Sequence, residues 1–284
     1  MDMGRFIEEI QQHPGYRGQI RWLAELPARE ARYADLRVKL HETVAGILAH
    51  LGIERLYVHQ ARAIEAVLGG EHVVTVTGTA SGKTLTYIIP LAQRLHERPA
   101  RRALLIYPTK ALAQDQLRKL ADFGAGSAFR AATYDGDTPA AERRRIKREA
   151  QVVLTNPDML HVGILPYHHT WADFLRNLEF VVLDEVHTYR GVFGSHTANV
   201  LRRLRRICAA YGSSPQFVAC SATIGNPREL FERLTGLQAR VIDDDGAPQG
   251  RRFLLIWEPP AIQGQPMRRR SANPEAAELM AELV

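Results

Sequence analysis

Eight residues, Thr77-Gly-Thr-Ala-Ser-Gly-Lys-Thr84, restrict what this chain can fold into more than any other stretch. They stand between an apolar run, His72-Val-Val-Thr-Val76, and a stretch of helical spacing that begins near Leu85. A strand, a glycine-bearing turn and a helix in that order make a phosphate cradle, because successive backbone N–H groups at a helix start point at one anion. The pattern G-x-x-x-x-G-K-[ST] is met except at its first position, where Thr77 replaces glycine and Gly78 follows one residue later. On this reading Thr79, Ala80, Ser81 and Gly82 wrap the phosphates of ATP. Lys83 reaches the β- and γ-phosphates, and the Thr84 hydroxyl ligates Mg²⁺.

The rest of the chain supplies partners for that unit. Apolar runs at Ala103–Tyr107, Gln151–Thr155, Leu178–Leu183 and Gln216–Cys220 read as buried parallel strands. Helical patterns lie between them, at Ala111–Phe123, Pro139–Glu149 and Thr197–Tyr211. Alternation of this kind predicts an α/β domain with a mainly parallel sheet flanked by helices. Ligands in such sheets sit beyond the C-terminal strand ends, so Lys83, Lys110, Asn156, Asp184 and Ser221 should converge on one rim. Residues 1–52 read as a helical N-terminal extension, with Leu36–Leu51 its clearest helix. Residues 53–260 read as the main domain. Residues 261–284 read as a basic linker followed by a helix from Glu275 to Val284.

Composition excludes several classes. No apolar run approaches the ~20 residues a membrane helix needs, and residues 1–6 carry an acid and no signal-like core. No membrane partner is therefore expected. Cys208 and Cys220 are too few for a disulfide framework or a four-cysteine zinc site, which points to the cytoplasm. The net charge of +6 favours a polyanionic partner. His168 and His169 read as surface residues, and the Arg202–Arg206 group as a solvated helix face.

ATP hydrolysis needs a metal ligand and a group that orients water. Asp184 and Glu185, at the end of an apolar strand, supply both: Asp184 for Mg²⁺, Glu185 for the water. Gln60, at the start of a helix before the phosphate loop, carries an amide that both donates and accepts and so fits the adenine edge. Tyr57 is placed to pack on the base.

The order of Gln60, Thr77–Thr84, Pro108-Thr109-Lys110, Thr155-Asn-Pro-Asp158, Asp184-Glu-Val-His187 and Ser221-Ala-Thr223 resembles the superfamily 2 DEAD/DEAH-box-like helicases. Within them, Pro27–Glu30, Leu56–Gln60, Thr155–His161, Asp184–His196 and Ser221–Pro227 resemble the bacterial MrfA/YprA-type DNA helicases. The resemblance implies a RecA-like P-loop fold and an ATP-dependent 3′-to-5′ DNA helicase or translocase with a role in repair. It makes Lys83, Asp184 and Glu185 catalytic. It makes His187, Ser221 and Thr223 the couplers of nucleotide state to DNA grip. It places Pro108, Thr109, Lys110, Thr155 and Asn156 on the nucleic acid, taken as single-stranded DNA. An RNA helicase, or a nucleotide-switched binding module that does not unwind, is the alternative.

Two departures stand out. Ala80 occupies a position that is glycine in many relatives. Nothing after Thr223 resembles the second RecA-like domain and its arginines, so this chain is expected to bind ATP–Mg²⁺ weakly and to turn it over slowly.

Overall fold

The structure is a computed structural model that describes residues 3–124, 129–262 and 265–283. Its elements run in the following order. Helix α1 (Met3–Gln12) and strand β1 (Ile20–Leu26) come first, then β2 (Tyr33–Ala34), α2 (Glu42–His50), β3 (Leu56–Tyr57) and α3 (Val58–Leu68). Next are β4 (Val73–Val76), α4 (Leu85–Glu97), β5 (Arg102–Ile106), α5 (Lys110–Gly124), β6 (Ala131–Thr133), α6 (Ala140–Glu149) and β7 (Val152–Thr155). A short turn α7 (Pro157–Met159), α8 (Ala172–Arg176), β8 (Leu178–Leu183), α9 (Gly191–Ala210), β9 (Gln216–Ser221), α10 (Pro227–Thr235) and β10 (Arg240–Ile242) follow. The last elements are β11 (Arg252–Trp257), β12 (Ala261–Ile262), β13 (Gln265–Arg269) and α11 (Ala272–Leu283).

The chain divides into two units, residues 31–247 and residues 1–30 with 248–284. The larger unit is built on a seven-stranded sheet of order β10-β4-β9-β8-β5-β7-β6. Every pairing in it is parallel. Side chains alternate across a pleated strand, so each strand feeds two apolar layers. Val73, Ala103, Leu105, Val152 and Leu154 join the layer that holds α3 and α4. Val74, Leu104, Ile106 and Val153 join the layer that holds α9 and α10. Both faces of the sheet are covered, which is why its strands read as continuous apolar runs. Since every strand points the same way, their C-terminal ends share one rim.

The N-terminal region differs from the helical extension expected for residues 1–52. Helix α1 is present, but Ile20–Leu26 is a strand paired antiparallel with β11. Residues 20–26, Ile-Arg-Trp-Leu-Ala-Glu-Leu, alternate imperfectly and carry good helix formers, so the partner strand rather than local propensity decides. Tyr33–Ala34 pairs with β3, and α2 begins at Glu42, where His41 caps Thr43 N, rather than at Leu36. Residues 261–271, read as a linker, hold the antiparallel pair β12–β13. The predicted helix at the C-terminus is found over Ala272–Leu283; Val284 lies outside the described residues, as does Gly264. The unit boundaries near residues 30 and 248 therefore lie away from the expected 52 and 260.

Candidate functional site: the strand-end rim

The phosphate loop is tied down from several directions before any ligand arrives. Thr77 and Ser81, both buried, join through their hydroxyls at 2.6 Å. The amide of Gln60 accepts from Tyr57 N at 2.9 Å and donates to Gly82 O at 3.0 Å. Gln60 thus closes the start of α3 and fixes the loop in one stroke, and at 2% exposure it works first as a joint. Gly82 has φ 76°, and a Cβ there would meet Gln60 Nε2 at 2.5 Å. Only glycine meets both demands. Ala80 also has a positive φ, 59°, which explains why glycine suits that position and why alanine there carries strain.

Lys83 lies across the loop. Its Nζ donates to Thr77 O at 3.0 Å and to Gly78 O at 2.7 Å. A phosphate in the cradle offers it a charge-assisted bond instead.

Two residues of this region were not singled out by the sequence. His59 is fully buried; its Nδ1 accepts from Gly246 N at 3.2 Å, which leaves Nε2 to donate to Ser81 O at 3.0 Å. Burial pushes its pKa below the usual 6.5, against the pull of the Asp245 charge, so the ring is held neutral. Asp245 accepts from Gly78 N at 3.0 Å and from Ala247 N at 3.0 Å. A histidine beside the glutamine and an Asp-Gly turn about 180 residues later carry no local signal of partnership. Tyr57, expected beside the base, packs its ring on Tyr33 at 5.4 Å and near His59 at 5.9 Å.

Asp184 stands at the end of β8, with Oδ1 accepting from Glu185 N at 2.9 Å and Oδ2 accepting from Tyr87 OH at 3.3 Å. Burial pushes its carboxyl up to about 6; the Glu185 N–H works against that, and the Glu185 charge adds to it. Glu185 sits in the left-handed region, φ 51° and ψ 44°. Such a conformation costs on the order of 1–3 kcal/mol in a non-glycine residue and persists where surroundings enforce it. Here Thr188 supplies the enforcement, giving both its N–H (2.9 Å) and its hydroxyl (2.7 Å) to Glu185 O.

His187 links two strand ends. Its Nδ1 lies 3.4 Å from Ala222 N, between Ser221 and Thr223, and 3.2 Å from Glu185 Oε2. The tautomer decides the partner: a bare Nδ1 accepts from Ala222 N–H, and an Nδ1–H donates to Glu185. Ser221 Oγ is buried and finds no partner among the described residues, whereas Thr223 is exposed.

Beyond β5 and β7 the rim is built differently. Thr109 Oγ1 caps Leu112 N at 3.3 Å at the start of α5, after Pro108. Lys110 Nζ donates to Asp137 Oδ2 at 3.0 Å, an exposed pair that brings the 135–138 turn to the rim. Asn156 Oδ1 accepts from Met159 N at 2.8 Å. Thr155 departs from the expectation. It is 1% exposed and its hydroxyl donates to Tyr134 O at 2.7 Å, so its side chain is turned into the sheet rather than toward a nucleic acid.

A phosphate cradle after β4, an acid pair at the end of β8 and a histidine bridging to the end of β9, the strand between those two, are now on one rim. Residues 57–230 match the DEAD/DEAH box helicases. The chain belongs to that family. The ATP-dependent helicase YprA of Bacillus subtilis is 46% identical over 279 residues, covering 98% of this chain and 37% of that protein. The ATP-dependent helicase HRQ1 of Saccharomyces cerevisiae is 38% identical over 287 residues, covering 99% of this chain and 26% of that protein. A crystal structure of the helicase MrfA bound to DNA and AMPPNP matches with a TM-score of 0.91 at 44% identity, over 99% of this chain and 39% of MrfA. The chain thus spans well under half the length of these relatives. The match confirms the RecA-like arrangement of this helicase domain, with ATP as the nucleotide of the family's dependence.

The residues present also fit Mg²⁺. Thr84 follows the loop lysine, and Asp184 offers a carboxylate whose charge burial penalises in the absence of a cation. One carboxylate and one hydroxyl beside substrate phosphates are the donor set this ion takes in phosphoryl transfer.

Proposed function

We propose that this chain is the ATP-binding motor domain of a DNA helicase or translocase that works with a second RecA-like domain. The observation that carries this reading is the Asp184–Glu185–His187 arrangement: a strained acid at the nucleotide side, joined by one histidine to the end of β9. An ATPase that served only as a nucleotide store would not need that bridge. Its placement suits a device that reports the γ-phosphate to whatever grips the polymer.

In this reading Gln60 uses its remaining donor and acceptor for the adenine N6/N7 edge, as amides do. The N–H groups of the 79–84 loop surround the phosphates, and Lys83 leaves the Thr77 and Gly78 carbonyls for them. Thr84 and Asp184 would hold Mg²⁺, which would supply positive charge against the phosphates. Glu185 takes the proton of the water that attacks the γ-phosphorus as the bond to the β-phosphate oxygen breaks. Ser221 and Thr223 move with His187. Pro108, Thr109, Lys110 and Asn156 meet the sugar–phosphate backbone of single-stranded DNA through helix starts and short polar groups. Thr155 positions that loop from beneath. Movement toward the 5′ end, a place in DNA repair and a cytoplasmic setting belong to the same proposal.

The test is ATP turnover by this chain with and without single-stranded DNA, beside Glu185→Gln. Turnover that rises with DNA and vanishes in the variant supports the motor reading. Turnover that ignores nucleic acid overturns it, and stronger stimulation by RNA than by DNA assigns the polymer to RNA.

A further inference from the structure

Helix α9, 20 residues from Gly191 to Ala210, is the longest among the described residues, and it contains no acid. Its buried side is apolar: Val200, Leu201, Leu204 and Cys208 face the sheet. Its exposed side steps through Ser195, Asn199, Arg202 and Arg206 at three- and four-residue intervals, with the half-buried Arg203 alongside.

On several other helices a cation is matched on its own helix, as in Arg5–Glu9, Arg94–Glu97, Lys119–Asp115 and Arg233–Glu229. On α9 four arginines fall within five residues, and among the described residues none of them meets a carboxylate. Arg202 and Arg205 donate instead to the carbonyls of Arg233 (2.9 Å) and Thr235 (2.8 Å) at the end of α10, which holds their guanidinium groups in place. Like charges this close repel, so a merely solvated face would gain from one acid, and this face has none.

Grooves border the stripe on both sides. One, of about 350 Å³, is lined by Pro157, Asp158, His161, Phe193, Arg203 and Arg206. The other, of about 680 Å³, is lined by Arg202, Arg205 and Arg206 together with His72. Asp158 is the single acid in either lining. The lining of the first groove includes Pro157, the residue after Asn156, and Arg206 lies about 22 Å along the helix from Gly191, at 1.5 Å per residue.

We propose that the exposed face of α9 is a second nucleic-acid contact, where Arg202, Arg203 and Arg206 take backbone phosphates of the polymer after it passes Asn156. This rests on the reading that the rim holds nucleic acid. Phosphate is favoured over an acidic protein segment because the stripe offers serine, asparagine and arginine donors, the side chains that hold a phosphate backbone. The groove also starts where the polymer already lies.

The experiment is a salt titration of binding by this chain to a labelled oligonucleotide that joins single strand to duplex. Arg203→Gln/Arg206→Gln is compared with the parent, and a thermal melt and a fluorescent ATP analogue check fold and nucleotide binding. Two lost phosphate contacts should weaken binding at low salt. They should lower the slope of log K against log salt by about 1.4 on single strand or about 1.8 on duplex, with ATP binding unchanged. Arg206→Gln alone, at an exposed position, should give about half that change and keeps the test decisive if the double variant does not fold. A parent that binds and variants that match its affinity and slope overturn this contact while leaving the rim reading intact. A parent that does not bind at all overturns both. Variants that keep parental DNA binding but lose labelled polyglutamate assign the face to an acidic protein segment and overturn the proposal.

Discussion

The two halves of the rim use the same architecture and opposite chemistry. At β4, β8 and β9 several buried polar side chains are tied to residues far away in sequence, as Gln60 is to Gly82 and Asp245 to Gly78. At β5 and β7, apart from the buried Thr155 on Tyr134 O, they close bonds within three residues, as Thr109 does with Leu112 and Asn156 with Met159, or sit in the exposed Lys110–Asp137 pair. The nucleotide half is thus held in shape by tertiary bonds that cost dearly to break. The other half is a set of capped helix starts with an exposed charge pair at Lys110 and Asp137. A small, fixed ligand needs the first kind of site. A polymer that must slide needs the second, because phosphate contacts position a strand without reading it.

The sharpest break in this comparison comes from Glu185→Gln. It should leave nucleotide binding intact and lower turnover by about 10²- to 10⁴-fold, the usual worth of a positioned base, measured by phosphate release. Lys83→Ala should act one step earlier. It removes a charge-assisted partner worth about 1.5–3 kcal/mol, so affinity for a fluorescent ATP analogue should fall roughly ten- to hundredfold.

His59→Leu tests whether the loop is truly held from beneath. It strands Ser81 O and Gly246 N–H in the core and should cost about 2 kcal/mol in denaturant unfolding, with weaker ATP binding in step. His59 also gives the half a pH signature. Its folded pKa lies below the ordinary 6.5, so below pH 6.5 the unfolded chain binds a proton that the folded chain refuses. Stability should therefore be complete above 6.5 and drop as pH falls through it toward the folded value. His72, lowered by burial and by Arg205, has the same sign. His59→Gln should flatten part of that slope; a slope unchanged by this variant would remove His59 as its source.

Ala80→Gly is the smallest change on the nucleotide half. Relief of the positive φ should raise stability by up to about 1 kcal/mol. On the other half, Lys110→Ala should leave the melting temperature where it was, since exposed pairs contribute little. It should lower the salt slope for single-stranded DNA by about 0.7. A large loss of stability there would mean that the two halves are built alike after all.

Much of this was legible because it is local. A β-strand, a glycine-bearing loop and a helix are contiguous in residues 72–96, and Asp184-Glu185 ends an apolar run, so spacing alone placed Lys83, Thr84 and both acids. The departure at Ala80 was visible too, though its φ of 59° was not. Parallel strands then carried Lys110, Asn156 and Ser221 to the same edge, because side-by-side strands of one direction share one end.

Other features depended on partners that no window of sequence contains. Ile20–Leu26 became a strand because β11 lies beside it, more than 220 residues later. Thr155 looked like a surface donor until Tyr134 O was found within 2.7 Å of its hydroxyl. His59 and Asp245 became parts of the phosphate loop only when β10 paired with β4 and brought the 243–246 turn against α3. The sequence by itself determined the strand-loop-helix unit, since that rests on neighbours along the chain. The tertiary structure decided which side chains are spent on holding that unit and which are left for a ligand, since a hydrogen bond depends on what lies within about 3 Å in space.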